Sequence, residues 1–397
     1  MRFWYLLAAG MMAVSLSSGS TYDVITFQVP LPMEPLTGIN NVGQAVGVRY
    51  QSGYFILTTA GVETHIPSVP GWSYNQTTRV NDSGQITGTG APNGQLGPGQ
   101  AFVGSISGSA GIPLSTGWLG SLGRAINRSG QVTGYGIDAN HQSHAFIGSP
   151  TGISVIPLPN SFTVSDASDI NDAGQVAGAA CISLGVCRAY IGTSAGVTLI
   201  PLPPGWTYSE GAAINNSGQV AGYGITAANV SQAFIGTAAS ATPLPLPPGC
   251  NSAAIASWLN DLGQVLGFCG PVNAPWIWDS VNGTRLLQDL VPSGWSVEAV
   301  SDFNDLGQIL AWGHFTGVAD GQFFLLNPAT GPLVITSPAS LTAATLGIAY
   351  SPVQFLPAHG SGGYTWSATG LPNGLALSST GRLSGTPAAG SQGGSSH

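Results

Sequence analysis

The chain has no lysine, and its eight basic residues are all arginine. Only 6% of its 397 residues are charged, and the formal net charge is −8. Proteins that bind nucleic acid carry a positive surface for the phosphates, so we expect no nucleic-acid partner. Long amphipathic helices need a charged face, and few such helices can be made from this composition. What the chain has instead is 58 glycines and 28 prolines among β-branched and aromatic residues, which predicts an all-β fold of short strands and tight turns.

The first twenty residues have the layout of a secretory signal peptide. Arg2 precedes the apolar run Phe3–Val14, and small residues follow it. A buried N-terminal strand or an uncleaved anchor is the alternative. No later stretch reaches the roughly 20 apolar residues of a spanning helix, so we expect a secreted or cell-surface protein with no membrane span after signal cleavage.

Four cysteines fit an oxidising compartment. Cys181 and Cys187 flank a short turn, and Cys250 and Cys269 flank one strand-turn-strand unit. Each pair is predicted to form a disulfide, with buried free thiols as the alternative. The spacing does not indicate a metal site.

An internal repeat dominates the chain. A six-residue motif, an apolar residue followed by Asn-x-x-Gly-Gln, occurs seven times, and its glycines are 41 to 46 residues apart. The motif predicts a hairpin in which Asn begins a type I turn and Gly takes the position of positive φ. The seven glycines are Gly43, Gly84, Gly130, Gly174, Gly218, Gly263 and Gly307.

Each repeat is predicted to be one four-stranded antiparallel sheet. A third strand has an aromatic centre, and a proline-rich fourth strand, such as 155–159, is expected at the sheet edge because proline cannot donate to the ladder. The seventh repeat lacks its fourth strand, and residues 24–32 resemble the others. We therefore predict a seven-bladed β-propeller over 21–327, closed by an N-terminal strand, with an open β-solenoid as the rival.

The repeats resemble the HAF family of bacterial extracellular repeats, named after the tripeptide that stands here as His144-Ala145-Phe146. The resemblance covers Thr21 to Asn327 and implies a surface or secreted location and a propeller, with no established activity. After a linker, 328–334, residues 335–397 resemble the Ig-like domain of bacterial surface proteins. The final strand of that small β-sandwich is absent from the pattern, so this domain is predicted to be incomplete.

Five aromatic residues stand twelve residues before the repeat glycine, next to loops of variable sequence. They are candidate ligand-binding residues, with packing as blade core as the alternative. They are Trp72, Trp118, Phe162, Trp206 and Trp295.

No known catalytic motif, metal-ligand spacing or cofactor signature occurs, so no catalytic residue, metal or cofactor is predicted. The repeat Gln side chains are expected to bond a neighbouring blade's backbone. Carboxylates could still meet in space, for example Glu210 with Asp166 or Asp169. The sequence favours a non-catalytic binding or adhesion scaffold for an extracellular glycan or cell-surface protein, with a carbohydrate-active propeller enzyme as the alternative.

Overall fold

The computed structural model describes residues 12–16, 22–27, 35–49, 53–92, 99–159, 161–183, 185–247, 249–250, 253–270, 273–318, 320–329, 334–337, 344–354, 356–358, 364–368, 371–378 and 381–388. The chain forms two compact units, Val24–Asn327 and the combined segments Met1–Asp23 and Pro328–His397. No helix among the described residues is long and apolar enough to cross a membrane.

The larger unit is built of seven four-stranded antiparallel sheets, which confirms the predicted propeller. The first, innermost strands of the seven blades are Leu36–Ile39, Trp72–Val80, Trp118–Ile126, Val164–Ile170, Trp206–Ile214, Ala254–Leu259 and Ala299–Phe303. The second strands are Gln44–Arg49, Ile86–Pro92, Val132–Asp138, Val176–Ser183, Val220–Thr226, Val265–Cys269 and Ile309–Gly313. The third strands are Gly53–Thr58, Gln100–Ser105, Ser143–Ser149, Val186–Thr193, Ser231–Gly236, Ala274–Asp279 and Gln322–Pro328.

The fourth strands are Glu63–Ile66, Gly108–Gly111, Gly152–Val155, Gly196–Leu199, Ala241–Pro243, Gly283–Leu286 and, in blade 7, Tyr22–Thr26. Blade 7 is thus completed by a strand from the N-terminal side of the chain, as the sequence predicts. The strand begins two residues earlier than expected, and its proline-containing continuation, 28–34, lies outside the described residues. A short 3-10 helix, Leu287–Leu290, follows blade 6.

The proline-rich segments are not strands, which corrects the prediction for residues 155–159 and their equivalents. In blade 3 the fourth strand ends at Val155, and Ile156 donates one more hydrogen bond, to the carbonyl of Ala145 at 2.9 Å. Pro157 follows and has no N–H to donate, so the ladder stops there.

The hydrophobic core lies between neighbouring sheets. Between blades 2 and 3, Phe146 packs with Ile112, Ile126 and Val132, and Phe102 occupies the equivalent place between blades 1 and 2. Each third strand places one such aromatic ring in the interior, and Phe102, Phe146 and Phe234 are almost fully buried. Because each blade buries its face against the next, the repeats depend on one another for stability.

The smaller unit contains short strands around a core of Tyr350, Trp366, Leu375 and Leu383. Tyr350–Gln354, Arg382–Gly385 and Leu375–Leu377 form a three-stranded sheet, and Val334–Ser337 pairs with Leu356–Ala358. Met12–Leu16, inside the predicted signal peptide, pairs with Tyr364–Ala368. Residues 389–397, where the Ig-like pattern lacks its last strand, lie outside the described residues.

Both predicted disulfides are present. Cys181 and Cys187 face each other across the hairpin of blade 4, and Cys250 is bonded to Cys269 in blade 6 with a Cα–Cα distance of 6.0 Å. Among the described residues no cysteine is free.

Removing the blade 6 disulfide by the double change Cys250→Ser and Cys269→Ser is expected to lower the free energy of unfolding by about 3 kcal/mol, because a closed loop of this length restricts the unfolded chain. Urea unfolding monitored by circular dichroism measures the loss. The matched pair Cys181→Ser and Cys187→Ser closes a shorter loop and should cost less, about 2 kcal/mol. Equal stability of the first double variant and the wild type would contradict this account.

Candidate functional site

The seven Asn-x-x-Gly-Gln turns meet at one end of the propeller axis. In each turn the glycine N–H donates to the Asn carbonyl, and the glycine adopts the predicted positive φ, between 70° and 81°. The Asn side chain closes the turn from within, because its Oδ1 accepts the backbone N–H of the Gln four residues on.

These seven asparagines also form a closed circle, which we call the asparagine ring. Each Nδ2 donates to the backbone carbonyl of the equivalent Asn in the next blade, at 2.9 to 3.3 Å, and the last step runs from Asn304 back to Asn40. Each Nδ2 also donates to the Gln Oε1 of its own turn. The prediction that the Gln side chains bond a neighbouring blade's backbone is therefore corrected: the Asn makes that bond and the Gln orients the Asn.

The residues that follow the asparagines form a second circle, the rim ring. They are Asn41, Asp82, Arg128, Asp172, Asn216, Asp261 and Asp305. Six of the seven backbone N–H groups donate to the side-chain oxygen of the next member, at 2.8 to 2.9 Å. The exception precedes Arg128, whose guanidinium has no acceptor.

Donors and carboxylates alternate around the rim ring. The Asn41 amide bonds Asp82 and Asp305, Arg128 contacts Asp82 and Asp172, and the Asn216 amide bonds Asp172 and Asp261. A ring of seven cannot alternate completely, so Asp261 and Asp305 are adjacent carboxylates. Burial raises the pKa of Asp305, and the charges of Asp261 and Asp82 add to the increase.

Inside the two rings lies a cavity of about 160 Å³ on the propeller axis, which we call the axial cavity. It is lined by residues of all seven blades. Asp302 is 3% exposed; its Oδ2 accepts the N–H of Ile39 in the next blade at 2.8 Å, and its Oδ1 lies 3.4 Å from Nη1 of Arg79. Asp169 Oδ2 accepts the N–H of Ile214, also in the next blade, at 3.0 Å.

Burial raises the pKa of both axial carboxyls. For Asp302 the effect is opposed by the Arg79 charge and by the amide bond from Ile39. For Asp169, loss of hydration raises the pKa to about 6, although the Ile214 amide and Arg79 stabilise the ionised form, and the Asp302 charge adds a small further increase.

The raised pKa of Asp169 predicts a pH-dependent stability. Below about pH 3 the carboxyl is protonated in both the folded and the unfolded state. Between about pH 4 and 6 the unfolded chain releases the proton first, so the folded state loses up to about 3 kcal/mol by pH 7.5. Asp169→Asn keeps an oxygen for Ile214 and does not titrate. Its stability relative to wild type should therefore increase by that amount from pH 4 to 7.5, measured by urea unfolding at each pH. Ser217→Ala, at an exposed turn position, is the control, and a difference independent of pH for Asp169→Asn would contradict the prediction.

A second cluster lies further along the innermost strands of blades 3 to 5, about 10 Å from the Asp169 position given the rise of a strand. Arg124 lies 3.5 Å from Asp166 and over the ring of Tyr135. Glu210 Oε2 accepts the hydroxyls of Tyr208 at 2.7 Å and Tyr223 at 2.8 Å.

The charges of this cluster interact. Burial raises the pKa of Asp166, Arg124 opposes this, and the Glu210 charge raises it further. Burial and the carboxylate of Glu210 also raise the pKa of Tyr223, to about 12. Of the two partners that the sequence considered for Glu210, Asp166 is thus near enough for the charges to interact, whereas Asp169 lines the axial cavity.

Comparison with known proteins finds similarity to solved structures only. No protein-family model matches the chain, and no curated protein matches it. The chain is similar to a solved structure of streptogramin B lyase, with 13% identity, 81% of this chain and 99% of the other covered, and a TM-score of 0.47. It is also similar to YCF48 from Cyanidioschyzon merolae, with 10% identity, coverage of 78% and 99%, and a TM-score of 0.46. A further similarity is to the BP39L lectin from Burkholderia pseudomallei, with 14% identity, coverage of 82% and 99%, and a TM-score of 0.37. Such low identities and scores give no information about activity or ligand.

The five predicted aromatic residues pack against rings of their own blade or in the core between neighbouring blades. Trp72, Trp118 and Trp206 contact the third-strand rings Phe102, Phe146 and Phe234 at centroid distances of 6.0 to 6.5 Å. Trp295 packs on Phe324 at 4.8 Å, and Phe162 packs against the core between blades 3 and 4. Trp206 is 9% exposed, and the other four are partly buried.

Blade 6 has a disulfide where five other blades have this aromatic residue. Cys250 N–H donates to the carbonyl three residues back, as the N–H of Trp206 does. Its partner Cys269 stands six residues after the repeat glycine, where Gly224 lies directly under the Trp206 ring. Since a covalent bond replaces the aromatic packing there, these contacts favour a structural role. Direct contact of the five residues with a ligand stays a prediction.

Sequence reasoning missed Arg79, Asp302 and Trp258, which line the axial cavity with Asp169. These residues could have been found from the sequence, because they all stand five residues before the repeat glycine. In the seven blades this position holds Gly38, Arg79, Ala125, Asp169, Ala213, Trp258 and Asp302, which differ widely in size and charge although the motif around them repeats. No group of three or more His, Cys, Asp or Glu side chains suited to a metal occurs within the part of the chain that the structure describes.

Proposed function

We propose that this protein is a secreted or cell-surface binding scaffold of the HAF type, and that it holds a polar extracellular ligand at the propeller axis. One observation supports it above all: eight of only sixteen acidic residues stand on or directly after the innermost strands. They are Asp82, Asp166, Asp169, Asp172, Glu210, Asp261, Asp302 and Asp305. A chain with so few charges that concentrates them at one place supports a polar binding region there.

The arrangement of the axial carboxylates supports binding more than catalysis. Asp169 and Asp302 each accept a backbone amide of the next blade, so their oxygens are fixed in place. Fixed acceptors suit recognition of ligand hydroxyl or N–H groups, because little ordering entropy is lost on binding. The two disulfides support an extracellular location.

A glycan array probed with the purified full-length chain tests the proposal, together with capture of cell-surface proteins. We expect selective binding that weakens at least tenfold in Asp169→Asn. Glu298→Gln, at an exposed position outside the axial cavity, is the matched control and should bind as wild type does. Absence of any glycan or protein ligand from a folded sample would overturn the proposal.

A carbohydrate-active enzyme is the second candidate, and the cluster of Asp166, Glu210 and Arg124 favours it. Glycoside hydrolysis uses one carboxylic acid as proton donor and a second, ionised carboxylate. Asp166, whose pKa burial raises, and the nearby Glu210 supply the two carboxyl groups. The repeats without such a pair have Pro35, Gln76, Leu122, Ile255 and Ala299 at the equivalent position, so the pair is not required by the architecture.

A screen for hydrolase and lyase activity tests this candidate. Glu210→Gln keeps an acceptor for the two tyrosine hydroxyls, and it should lower any activity at least a hundredfold while the fold is retained. Glu298→Gln again serves as the control. Activity that is unchanged in Glu210→Gln, or no turnover of any substrate, would reject the candidate.

A further inference from the structure

The axial cavity has the parts of a site for one sugar ring, an assignment that rests on the binding function proposed above. Its lining is asymmetric although the scaffold is symmetric. Asp169, Asp302, Arg79 and Trp258 come from blades 4, 7, 2 and 6, at the same position of the repeat. Blade 1 has Gly38 at this position, which leaves room for Arg79 to reach Asp302 on the far side of blade 1.

The polar groups of the cavity include both acceptors and donors. The carboxylates of Asp169 and Asp302 are held by backbone amides from the next blades. Arg79 lies beside them, with Nη1 near Asp302. A sugar hydroxyl can donate one hydrogen bond and accept another. It therefore suits a cavity lining that contains both fixed carboxylates, which accept, and a guanidinium, which donates.

Trp258 supplies an apolar face. Its ring lines the cavity and is supported edge-to-face by Phe268 at a centroid distance of 5.6 Å. Its indole N–H is buried and has no hydrogen-bond partner among the described residues. An unpaired buried donor is unfavourable, so packing stability alone gives no reason for tryptophan here. What this residue offers to the cavity is its large aromatic ring.

The volume and the charge of the axial cavity restrict the classes of ligand that it can bind. A cavity of about 150 Å³ can accept a six-membered ring such as benzene, and the axial cavity is of that size, about 160 Å³. Six carboxylates and two arginines line the cavity and its rim ring, so the local formal charge is −4. Uronic acids, sialic acids and phosphorylated ligands would be repelled.

We propose that the axial cavity binds one neutral or amino-substituted pyranose ring of a glycan, which enters past the rim ring and stacks on Trp258. Asp169 and Asp302 accept hydrogen bonds from its hydroxyls, and Arg79 donates. A basic side chain of a partner protein is the competing occupant. It is less well matched, because Arg79 already stands as a cation between the carboxylates.

Saturation-transfer NMR and calorimetry on the full-length chain test the site. The probes are the methyl glycosides of glucose, galactose, mannose and N-acetylglucosamine, with glucosamine, glucuronic acid and spermidine. At least one neutral or amino sugar should bind, and glucuronic acid should not. Asp169→Asn and Trp258→Leu should each weaken binding at least tenfold. Asp320→Asn, an exposed carboxylate outside the cavity, should stay within twofold of wild type.

The outcomes separate this site from the broader proposal. Glycan binding that Asp169→Asn and Trp258→Leu leave unchanged would overturn the cavity assignment and leave a binding scaffold with its site elsewhere. Binding of spermidine but of no sugar would overturn it in favour of a basic partner. If Trp258→Leu fails to fold, Asp169→Asn still decides, because it keeps the acceptor for Ile214. Absence of every ligand from the array and the capture experiment would remove the proposed function itself.

Discussion

Truncation of Trp206 to alanine is expected to lower the free energy of unfolding by about 3 to 5 kcal/mol. The ring is 9% exposed, packs edge-on against Phe234 at 6.1 Å, and covers Gly224. Gly224 has no side chain that could fill the space left behind, because in the wild type the ring lies where a Cβ of residue 224 would be. Urea unfolding monitored by near-UV circular dichroism measures the change.

Trp206→Phe is the matched control, because blade 4 uses Phe162 at the same repeat position. The loss of unfolding free energy in Trp206→Phe should be less than half of the loss in Trp206→Ala. The same variants decide the role of the five aromatic residues. If Trp206→Ala unfolds as readily as wild type and loses only glycan binding, the residue contacts the ligand and the packing explanation is wrong.

The asparagine ring should be equally sensitive. Asn171→Ala removes the donor to the carbonyl of Asn215 at 3.0 Å and the acceptor for the N–H of Gln175 at 2.9 Å. Asn171 is 4% exposed, so both backbone groups lose partners in a poorly hydrated place. Each unpaired buried group costs about 1 to 3 kcal/mol, and we expect a total loss of about 3 to 5 kcal/mol in urea unfolding.

Asn216→Ala is the control one blade further on, in the exposed rim ring. Its hydrogen bonds are accessible to water, so the same chemical change should cost less than about 1 kcal/mol. Equal losses of unfolding free energy for Asn171→Ala and Asn216→Ala would show that the asparagine ring contributes no more to stability than the exposed rim ring does. Losses that spread beyond blade 4, seen by hydrogen exchange, would show that the ring couples the blades.

The raised pKa values of four carboxyl groups near the axis affect both the stability of the protein and the binding of a ligand. Asp169, Asp302, Asp305 and Asp166 are all destabilising when ionised in the folded state, since burial raises their pKa values. The stability they contribute is present in acid and is lost as the pH rises through those values. A bound cationic or hydroxyl-bearing ligand would stabilise the ionised forms, so its binding should release fewer protons at pH 7.5 than at pH 5.5.

Several local features of this protein followed from neighbouring residues. The Asn-x-x-Gly-Gln motif determined the hairpin turns, because the Asn oxygen and the positive φ of glycine act within five residues. The repeat spacing determined seven blades, and a missing fourth strand in the last repeat determined closure by the N-terminal strand. The disulfides followed because each pair flanks one hairpin.

The ends of strands were less predictable. Residues 155–159 have the apolar character of a strand, but the lack of an N–H at Pro157 stops the ladder. For the five repeated aromatic residues, the sequence pattern was equally consistent with packing in the core and with binding of a ligand. Counting back from the repeat glycine missed that Cys250 replaces one of them, because Cys250 stands thirteen residues before Gly263 and not twelve, although the same Pro-Leu-Pro-Pro-Gly segment precedes Trp206 and Cys250. The turn hydrogen bond and the position of Cys269 across the sheet show the equivalence.

The axis itself was decided by tertiary structure alone. The chain by itself determined seven similar sheets, the hairpin turns and the pairs of cysteines, all of which depend on contacts between nearby residues. Arg79 and Asp302 are more than 200 residues apart, and they meet because the ring closes and brings blade 7 next to blade 1. The asparagine ring, the alternating rim and the approach of Glu210 to Asp166 also join groups from different blades, and only the packing of each blade against the next places those groups side by side.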